Sequence, residues 1–153
     1  MQYLPVSVYH GEPLPTESFV TEPDTAGLLL EPASAPLMKI LTEREHLGIP
    51  PDMAGLHSLV RELGVDVLEI AKMVRSEHET GIITVTMEEY RLIDGCRAMM
   101  AESPRCCIIS PCPVCSLYAA IFAEGTGKVI QIERCEPDPG SSRVTAVFSV
   151  LPE

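Results

Sequence analysis

The cysteines are the residues in this chain best able to do chemistry, and two of them form the sequence Cys112-Pro113-Val114-Cys115. Proline is favoured at the first position of a helix, so we predict that Cys112 is a helix N-cap and that Cys115 lies in the first turn. The free amides and the dipole at a helix start favour a thiolate over a thiol. Because a thiolate is both a nucleophile and a metal ligand, this turn is predicted to present two activated sulfurs.

Further sulfurs lie close to this turn in the sequence. Cys106 and Cys107 belong to a short strand-like run before it, and strand alternation would point one of them to each face of a sheet. Cys135 ends a later predicted strand, which can bring it to the helix start. We therefore predict a metal site made by Cys112, Cys115, Cys135 and Cys107, with Cys106 as the open alternative to Cys107. Such a set of sulfurs suits tetrahedral zinc, or, as a second choice, an iron–sulfur cluster.

Two other interpretations of the cysteines stay open at this stage. Cys112 and Cys115 have the spacing of a thiol-disulfide pair, and any cysteine can be a small buried hydrophobic residue. We expect the second interpretation to hold for Cys96, which lies on a predicted helical stripe.

Composition limits the classes of partner. The chain has 153 residues, 46% of them hydrophobic and 22% charged, which fits one globular domain. With 22 acidic and 11 basic residues, its net charge of −11 opposes binding to nucleic acid or to anionic membranes. The longest apolar run near the cysteines, residues 117–123, is far shorter than the about 20 residues that span a bilayer. Without a signal-peptide pattern, we expect a soluble, cytoplasmic protein whose thiols are mostly reduced.

The order of predicted elements indicates an α+β fold, with helices packed on a mostly antiparallel sheet that ends in a C-terminal hairpin. We treat residues 1–153 as a single domain, with a Pro-rich segment at 1–53 and a helical, cysteine-containing, ligand-binding part at 54–153. Helices are predicted at 36–47, 54–78 with an interruption at 64–66, 90–100 after a capping box at Thr86–Glu89, and 116–124. Strands are predicted at 27–31, 82–86, 106–109, 129–135 and 144–151.

Residues 82–151 resemble the 4-vinyl reductase (hydrocarbon-binding) domain family, which looks related to TRAPP-like and aromatic-sensing ligand-binding domains. The resemblance rests on the turn at Cys112-Pro113-Val114-Cys115, the apolar helix at 116–124 and the terminal hairpin. It implies a pocket for a small hydrophobic ligand between helices and sheet. Some members of that family also hold zinc, so the resemblance implies a zinc site in this chain.

The resemblance implies a particular set of zinc ligands. Cys112 or Cys115 would match the cysteine at the helix start, Glu133 the acidic ligand and Cys135 the cysteine that ends the first hairpin strand. Arg143 stands near the place of the last cysteine, so the chain departs from the family pattern there. Cys106 or Cys107, with the second sulfur of the turn, would have to replace the missing ligand.

The first functional hypothesis is therefore a domain that binds a small hydrophobic molecule or senses metal or redox state, rather than an enzyme. Tyr118 and Phe122 on the apolar helix, with Met99 or Met100 opposite, are predicted to line the pocket. These residues would otherwise be part of the core. A helix that is apolar on nearly every side also suits a homodimer interface.

Two alternatives come from other classes of protein. A thiol-disulfide oxidoreductase would use Cys112 and Cys115, although no long β-α-β unit precedes them. A transcription regulator is suggested by the helix-turn-helix look of residues 56–71. Residues 54–79 hold three basic and five acidic residues, however, and this balance opposes a recognition helix.

Overall fold

A computed structural model describes residues 1–152 of the chain and bears out the predicted α+β class. The helices and strands, in chain order, are β1 (Gln2–Pro5), β2 (Phe19–Val20), β3 (Gly27–Leu30), α1 (Ala35–Arg44), α2 (Met53–Glu62), β4 (Met73–Glu79), β5 (Ile82–Glu88), α3 (Ile93–Glu102), α4 (Cys106–Ile109), α5 (Pro113–Thr126), β6 (Ile130–Pro137) and β7 (Val144–Val150). A π-helical turn, Leu63–Val67, directly follows α2.

The main sheet has four antiparallel strands in the order β4-β5-β7-β6. Alternate residues of β5 and β7 point to one face, where Ile83 pairs with Phe148 and Val85 with Ala146. These four side chains are fully buried, and helices α2 and α5 pack on this side of the sheet. Because β6 is an edge strand in contact with α3, α4 and α5, it lies next to every helix that carries a cysteine.

Strand β6 contains a β-bulge that changes which residues face the core. Ile132 pairs with Phe148 and Arg134 pairs with Val147, so Glu133 is the extra residue. Beyond the bulge Cys135 lies opposite the buried Ala146 rather than the half-buried Thr145. Uninterrupted alternation from Ile132 would have pointed Cys135 to the opposite face.

The Pro-rich N-terminal segment forms a smaller antiparallel sheet and a helix. Its strands have the order β1-β3-β2, and β3 agrees with the strand predicted at 27–31. Helix α1, predicted at 36–47, contacts α5 and buries Leu41 in the core. The N-terminal segment therefore packs on the same helix that carries the Cys112–Cys115 turn.

Three predictions about secondary structure are wrong. The helix predicted at 54–78 ends at Glu62, and residues 73–79 form strand β4, because pairing with β5 satisfies their backbone groups. That change also removes the second helix of the supposed helix-turn-helix. Cys106–Ile109 is a short helix rather than a strand. Thr86 belongs to β5 and Glu89 has a positive φ of 49°, so the two do not form a capping box.

The last 40 residues follow the prediction closely. Pro113 begins α5, Cys112 is its N-cap, and Gly127 ends it in the left-handed conformation that glycine adopts without strain. The hairpin of β6 and β7 turns at Asp138, whose side chain accepts from the amide of Gly140. Within residues 1–152, no helix is long and apolar enough to cross a membrane.

Candidate functional site: a cluster of thiols at the start of helix α5

The turn that begins α5 has the geometry predicted from the sequence. Cys112 is in an extended conformation, with φ −62° and ψ 160°, and its sulfur accepts the backbone N–H of Cys115 at 3.5 Å. Sulfur thus takes the place of the oxygen that usually caps a helix. Cys112 is half-buried, whereas Cys115 in the same turn is buried.

The sulfur of Cys115 lies 2.8 Å from the sulfur of Cys135. Cys115 is 1% exposed and Cys135 is 3% exposed, so this contact is enclosed by protein. It joins the first turn of α5 to β6, and the bulge at Glu133 is what turns Cys135 toward it. The sequence prediction that Cys135 approaches the helix start is confirmed.

Cys106 and Cys107 differ in their surroundings. Cys107 is buried and interacts electrostatically with Cys135 and Cys112, whereas Cys106 is half-buried. Both lie on helix α4, so helical rather than strand geometry separates them. Cys107 therefore lies nearer to the other sulfurs than its neighbour, on a helix rather than the predicted strand, and its role as a metal ligand stays a prediction.

Cys96 adds a further thiol beside the cluster, which its sequence position did not indicate. It is buried on α3, as expected, but it also interacts electrostatically with Cys135, Cys112 and Cys107. The helical stripe of Ile93 and Cys96 would have pointed to an inward position. The sequence pattern does not show, however, that the inward side of α3 faces the other cysteines.

Ionisation differs sharply between these thiols. The pKa of Cys112 falls to about 6, mainly because the Cys115 thiol hydrogen-bonds to its sulfur, and backbone amides of the turn add to the effect against the cost of burial. The same bond, the contact with Cys135 and burial raise the pKa of Cys115 well above its ordinary value. Burial raises the pKa of Cys107 to about 11 and that of Cys96 to about 12. At neutral pH the cluster is therefore expected to hold a thiolate at the half-buried Cys112 beside buried thiols.

The donor types fit zinc, but their present spacing does not. Thiolate sulfurs at about 2.3 Å from a tetrahedral zinc ion lie nearly 4 Å from one another, so Cys115 and Cys135 would have to separate. Among the residues described, no three His, Cys, Asp or Glu side chains are already placed to share one metal ion. The four sulfurs of Cys107, Cys112, Cys115 and Cys135 could hold zinc only after a rearrangement.

The remaining residues implied by the family resemblance lie outside the cluster. The carboxylate of Glu133 accepts a hydrogen bond from Ser149 at 2.5 Å on an exposed part of the sheet. Arg143 forms an ion pair with Glu88 at 3.3 Å. The acidic ligand implied by the resemblance is therefore not placed with the sulfurs.

The predicted pocket residues are dispersed. Tyr118 and Phe122 are fully buried, and Phe122 packs against His57 of α2 and Phe148 of β7. Met99 is 41% exposed on α3 and Met100 is half-buried. The first two are placed as core residues, and the ligand pocket stays a prediction.

Two surface clefts lie away from the sulfurs. One, of about 220 Å³, is lined on the outer face of the sheet by Arg75, Glu77, Thr84, Thr86, Arg143 and Thr145. The other, of about 470 Å³, lies between the start of α2 and the end of β7 and includes Met53 and Val150. Neither cleft has a cysteine in its wall, so the thiol chemistry and these open surfaces are separate.

A polar contact between α2 and β4 had no signal in the sequence. Nδ1 of His57 lies 2.5 Å from Oγ of Ser76, and burial, then the nearby His78, lowers the pKa of His57. The two partners are 19 positions apart on elements whose packing the sequence does not give.

Comparison with protein-family models, curated proteins and solved structures finds no match to this chain. The interpretation of the site therefore depends on its own geometry.

Proposed function

We propose that this domain senses redox state through its buried thiols, with Cys115 and Cys135 as the pair that forms a disulfide under oxidising conditions. The observation that carries the proposal is the 2.8 Å contact between their sulfurs. The two sulfurs of a disulfide are joined at about 2.05 Å, and these two are already in direct contact in the reduced protein.

Oxidation would change the mechanics of the domain. A disulfide between positions 115 and 135 closes a loop of about 20 residues, and such a bridge stabilises a fold by about 3 kcal/mol. It would fix the first turn of α5 to strand β6. The reduced and oxidised forms would then differ in the stability of one helix–strand contact, which a partner can detect.

The placement of the sulfurs supports sensing over turnover. A thiol-disulfide oxidoreductase exchanges disulfides with a protein substrate, and its attacking sulfur must reach that substrate. The half-buried Cys112 could take that role, but the two sulfurs in contact at 2.8 Å are those of Cys115 and Cys135, and both residues are buried. If the oxidoreductase alternative were correct, the protein would accelerate the reduction of insulin by dithiothreitol.

The proposal is tested by equilibrating the protein in glutathione buffers of increasing potential, quenching with acid and mapping disulfides by mass spectrometry. We expect two of the six thiols to be lost together, with the disulfide between Cys115 and Cys135. The Cys135→Ser variant should lose this transition, and Cys106→Ser, which changes a half-buried cysteine outside the pair, should retain it. Six free thiols in the wild type at the oxidising end would refute the proposal.

The grouping of the cysteines also favours zinc binding as a second candidate. Cys107 is buried and interacts electrostatically with Cys135 and Cys112, so it can add a fourth sulfur, and four cysteine sulfurs are a common structural zinc set. Elemental analysis of the purified protein should then give about one zinc per chain, lost in Cys115→Ser and retained in Cys106→Ser. Protein without zinc or iron that also fails to take up added zinc would rule this candidate out.

A further inference from the structure

We infer that oxidation begins at Cys112 and reaches Cys135 through Cys115, with a hydroperoxide as the oxidant. The inference rests on the proposed redox function and adds a route to it. Its basis is the order of exposure along the three sulfurs, together with the contacts that link them.

The first observation is accessibility. Cys112 is half-buried, whereas Cys115 and Cys135 are 1% and 3% exposed. Of the three residues, Cys112 is therefore the one that a small oxidant in solution can approach most readily, since packed side chains enclose the other two. Direct oxidation of the buried pair would require the domain to open.

The second observation is that Cys115 contacts both of the other residues. Its backbone N–H donates to Sγ of Cys112 at 3.5 Å, and its own Sγ lies 2.8 Å from Sγ of Cys135. No such contact links Cys112 to Cys135 among the hydrogen bonds of residues 1–152. Cys115 is therefore the residue through which the exposed sulfur communicates with the buried strand.

The order of the three cysteines gives an oxidation route of three chemical steps. The sulfur of Cys112 attacks a hydroperoxide oxygen, the O–O bond breaks, and sulfenic acid and an alcohol (or water) form, so that sulfur loses the two electrons that the peroxide gains. The sulfur of Cys115 then attacks that of Cys112; the S–S bond forms as the S–O bond breaks, and the hydroxyl leaves with the Cys115 proton as water.

In the third step the sulfur of Cys135 attacks the sulfur of Cys115. The bond between Cys112 and Cys115 breaks, and Cys112 leaves with the electron pair and takes up the proton that Cys135 gives up. The products are a buried disulfide between Cys115 and Cys135 and a regenerated thiol at Cys112. Reaction of peroxide at the half-buried Cys112 would thus produce a disulfide between two buried cysteines.

The test uses two variants and two oxidants. Cys112→Ser keeps a helix N-cap, since serine is among the preferred N-cap residues, and Cys135→Ser replaces one buried sulfur by oxygen. Each protein is treated with hydrogen peroxide, sampled over time and mapped by mass spectrometry, with dimedone present in parallel samples to capture sulfenic acid. The same proteins are equilibrated in glutathione buffers, and circular dichroism compares their folds.

We expect Cys112→Ser to form the disulfide between Cys115 and Cys135 about tenfold more slowly or worse with peroxide, because the accessible sulfur is missing. In glutathione buffer the same variant should still reach that disulfide at equilibrium. Cys135→Ser should accumulate the disulfide between Cys112 and Cys115, and dimedone should label Cys112 in the wild type.

The route is wrong if Cys112→Ser reacts with peroxide at the wild-type rate, if folded Cys112→Ser cannot form the disulfide in glutathione buffer, or if Cys135→Ser yields no disulfide between Cys112 and Cys115. Failure of the proposed function itself is a different result. In that case the wild type forms no disulfide between Cys115 and Cys135 in either oxidant.

Discussion

Ser34 and Ser116 join the N-terminal segment to the cysteine-bearing helix through two buried hydrogen bonds. The Ser116 hydroxyl accepts from the backbone N–H of Ser34 at 3.1 Å and donates to the Ser34 hydroxyl at 3.0 Å. Both residues are buried, and Ser116 directly follows Cys115. The position of the thiol cluster therefore depends partly on residues more than 80 positions earlier in the chain.

Removing this link should weaken the fold. Ser116→Ala leaves the buried amide of Ser34 without its acceptor, and we expect the free energy of unfolding to fall by about 1–3 kcal/mol. Urea denaturation followed by circular dichroism measures the change. Ser110→Ala, at an exposed serine shortly before α5, is the matched control and should have little effect. Equal stability of the two variants would show that the link contributes nothing.

Gly64 and Tyr118 make a second testable contact. The Tyr118 hydroxyl is buried without a hydrogen-bond partner among the described residues, and a Cβ at position 64 would lie 2.6 Å from it and 2.7 Å from Cγ2 of Val74. We expect Gly64→Ala to destabilise the domain by about 1–3 kcal/mol through overpacking. Tyr118→Phe should stabilise it by about 1 kcal/mol, because no bond is lost and a buried polar group is removed.

The double variant separates these effects. Gly64→Ala with Tyr118→Phe should lose less stability than Gly64→Ala alone, since only the clash with Val74 remains. Gly95→Ala on α3 is the control: nothing lies within 4 Å of the point that its new Cβ would occupy, and helix propensity should stabilise the variant by about 0.5–1 kcal/mol. A destabilised Tyr118→Phe variant would reveal that the hydroxyl has a partner.

The low pKa of Cys112 predicts a distinct pH profile for alkylation. Below pH about 6 its thiol is protonated and unreactive, and above that value the thiolate forms, so the rate with iodoacetamide should rise through pH 6. Cys96 and Cys107 should stay unmodified in the native protein, since burial raises their pKa values to about 12 and about 11. Mass spectrometry after short exposures identifies the modified residue.

Urea-unfolded protein provides the control for this profile. Without the helix turn and the Cys115 hydrogen bond, alkylation at position 112 should shift to the ordinary thiol range near pH ~8.5. A native profile centred there would mean that the turn does not stabilise the thiolate.

His57 predicts a loss of stability on acidification. Burial and His78 lower its pKa below the ordinary value, so the unfolded chain binds the proton more readily than the folded one. The free energy of unfolding should therefore decrease as the pH falls below about 6.5. Urea titrations between about pH 5 and 8 should show a shallower decrease in His57→Gln. The exposed His10→Gln is the control and should keep the wild-type slope.

Local rules made the α5 turn and the hairpin predictable. Pro113 after Cys112 and Gly127 beyond the last turn define the helix by themselves, and the residues around Gly140 define the turn. Met73 and Val74 fit a helical stripe equally well, and only their pairing with β5 makes them a strand. The sequence predicts a strand for Cys107, because the β-branched run Ile108-Ile109 favours a strand in isolation, whereas Cys107 lies on helix α4. Tertiary contacts override such preferences.

The bulge at Glu133 makes the sulfur pair depend on a residue that is not part of it. Because Glu133 is left out of the pairing, Arg134 and Cys135 lie opposite Val147 and Ala146, as they would in a regular strand that is one residue shorter. Deleting Glu133 is therefore expected to keep Cys135 facing Cys115. A change that draws Glu133 back into regular pairing would instead turn Cys135 to the opposite face, so the sulfur pair can be lost by a slip of one strand with both cysteines intact.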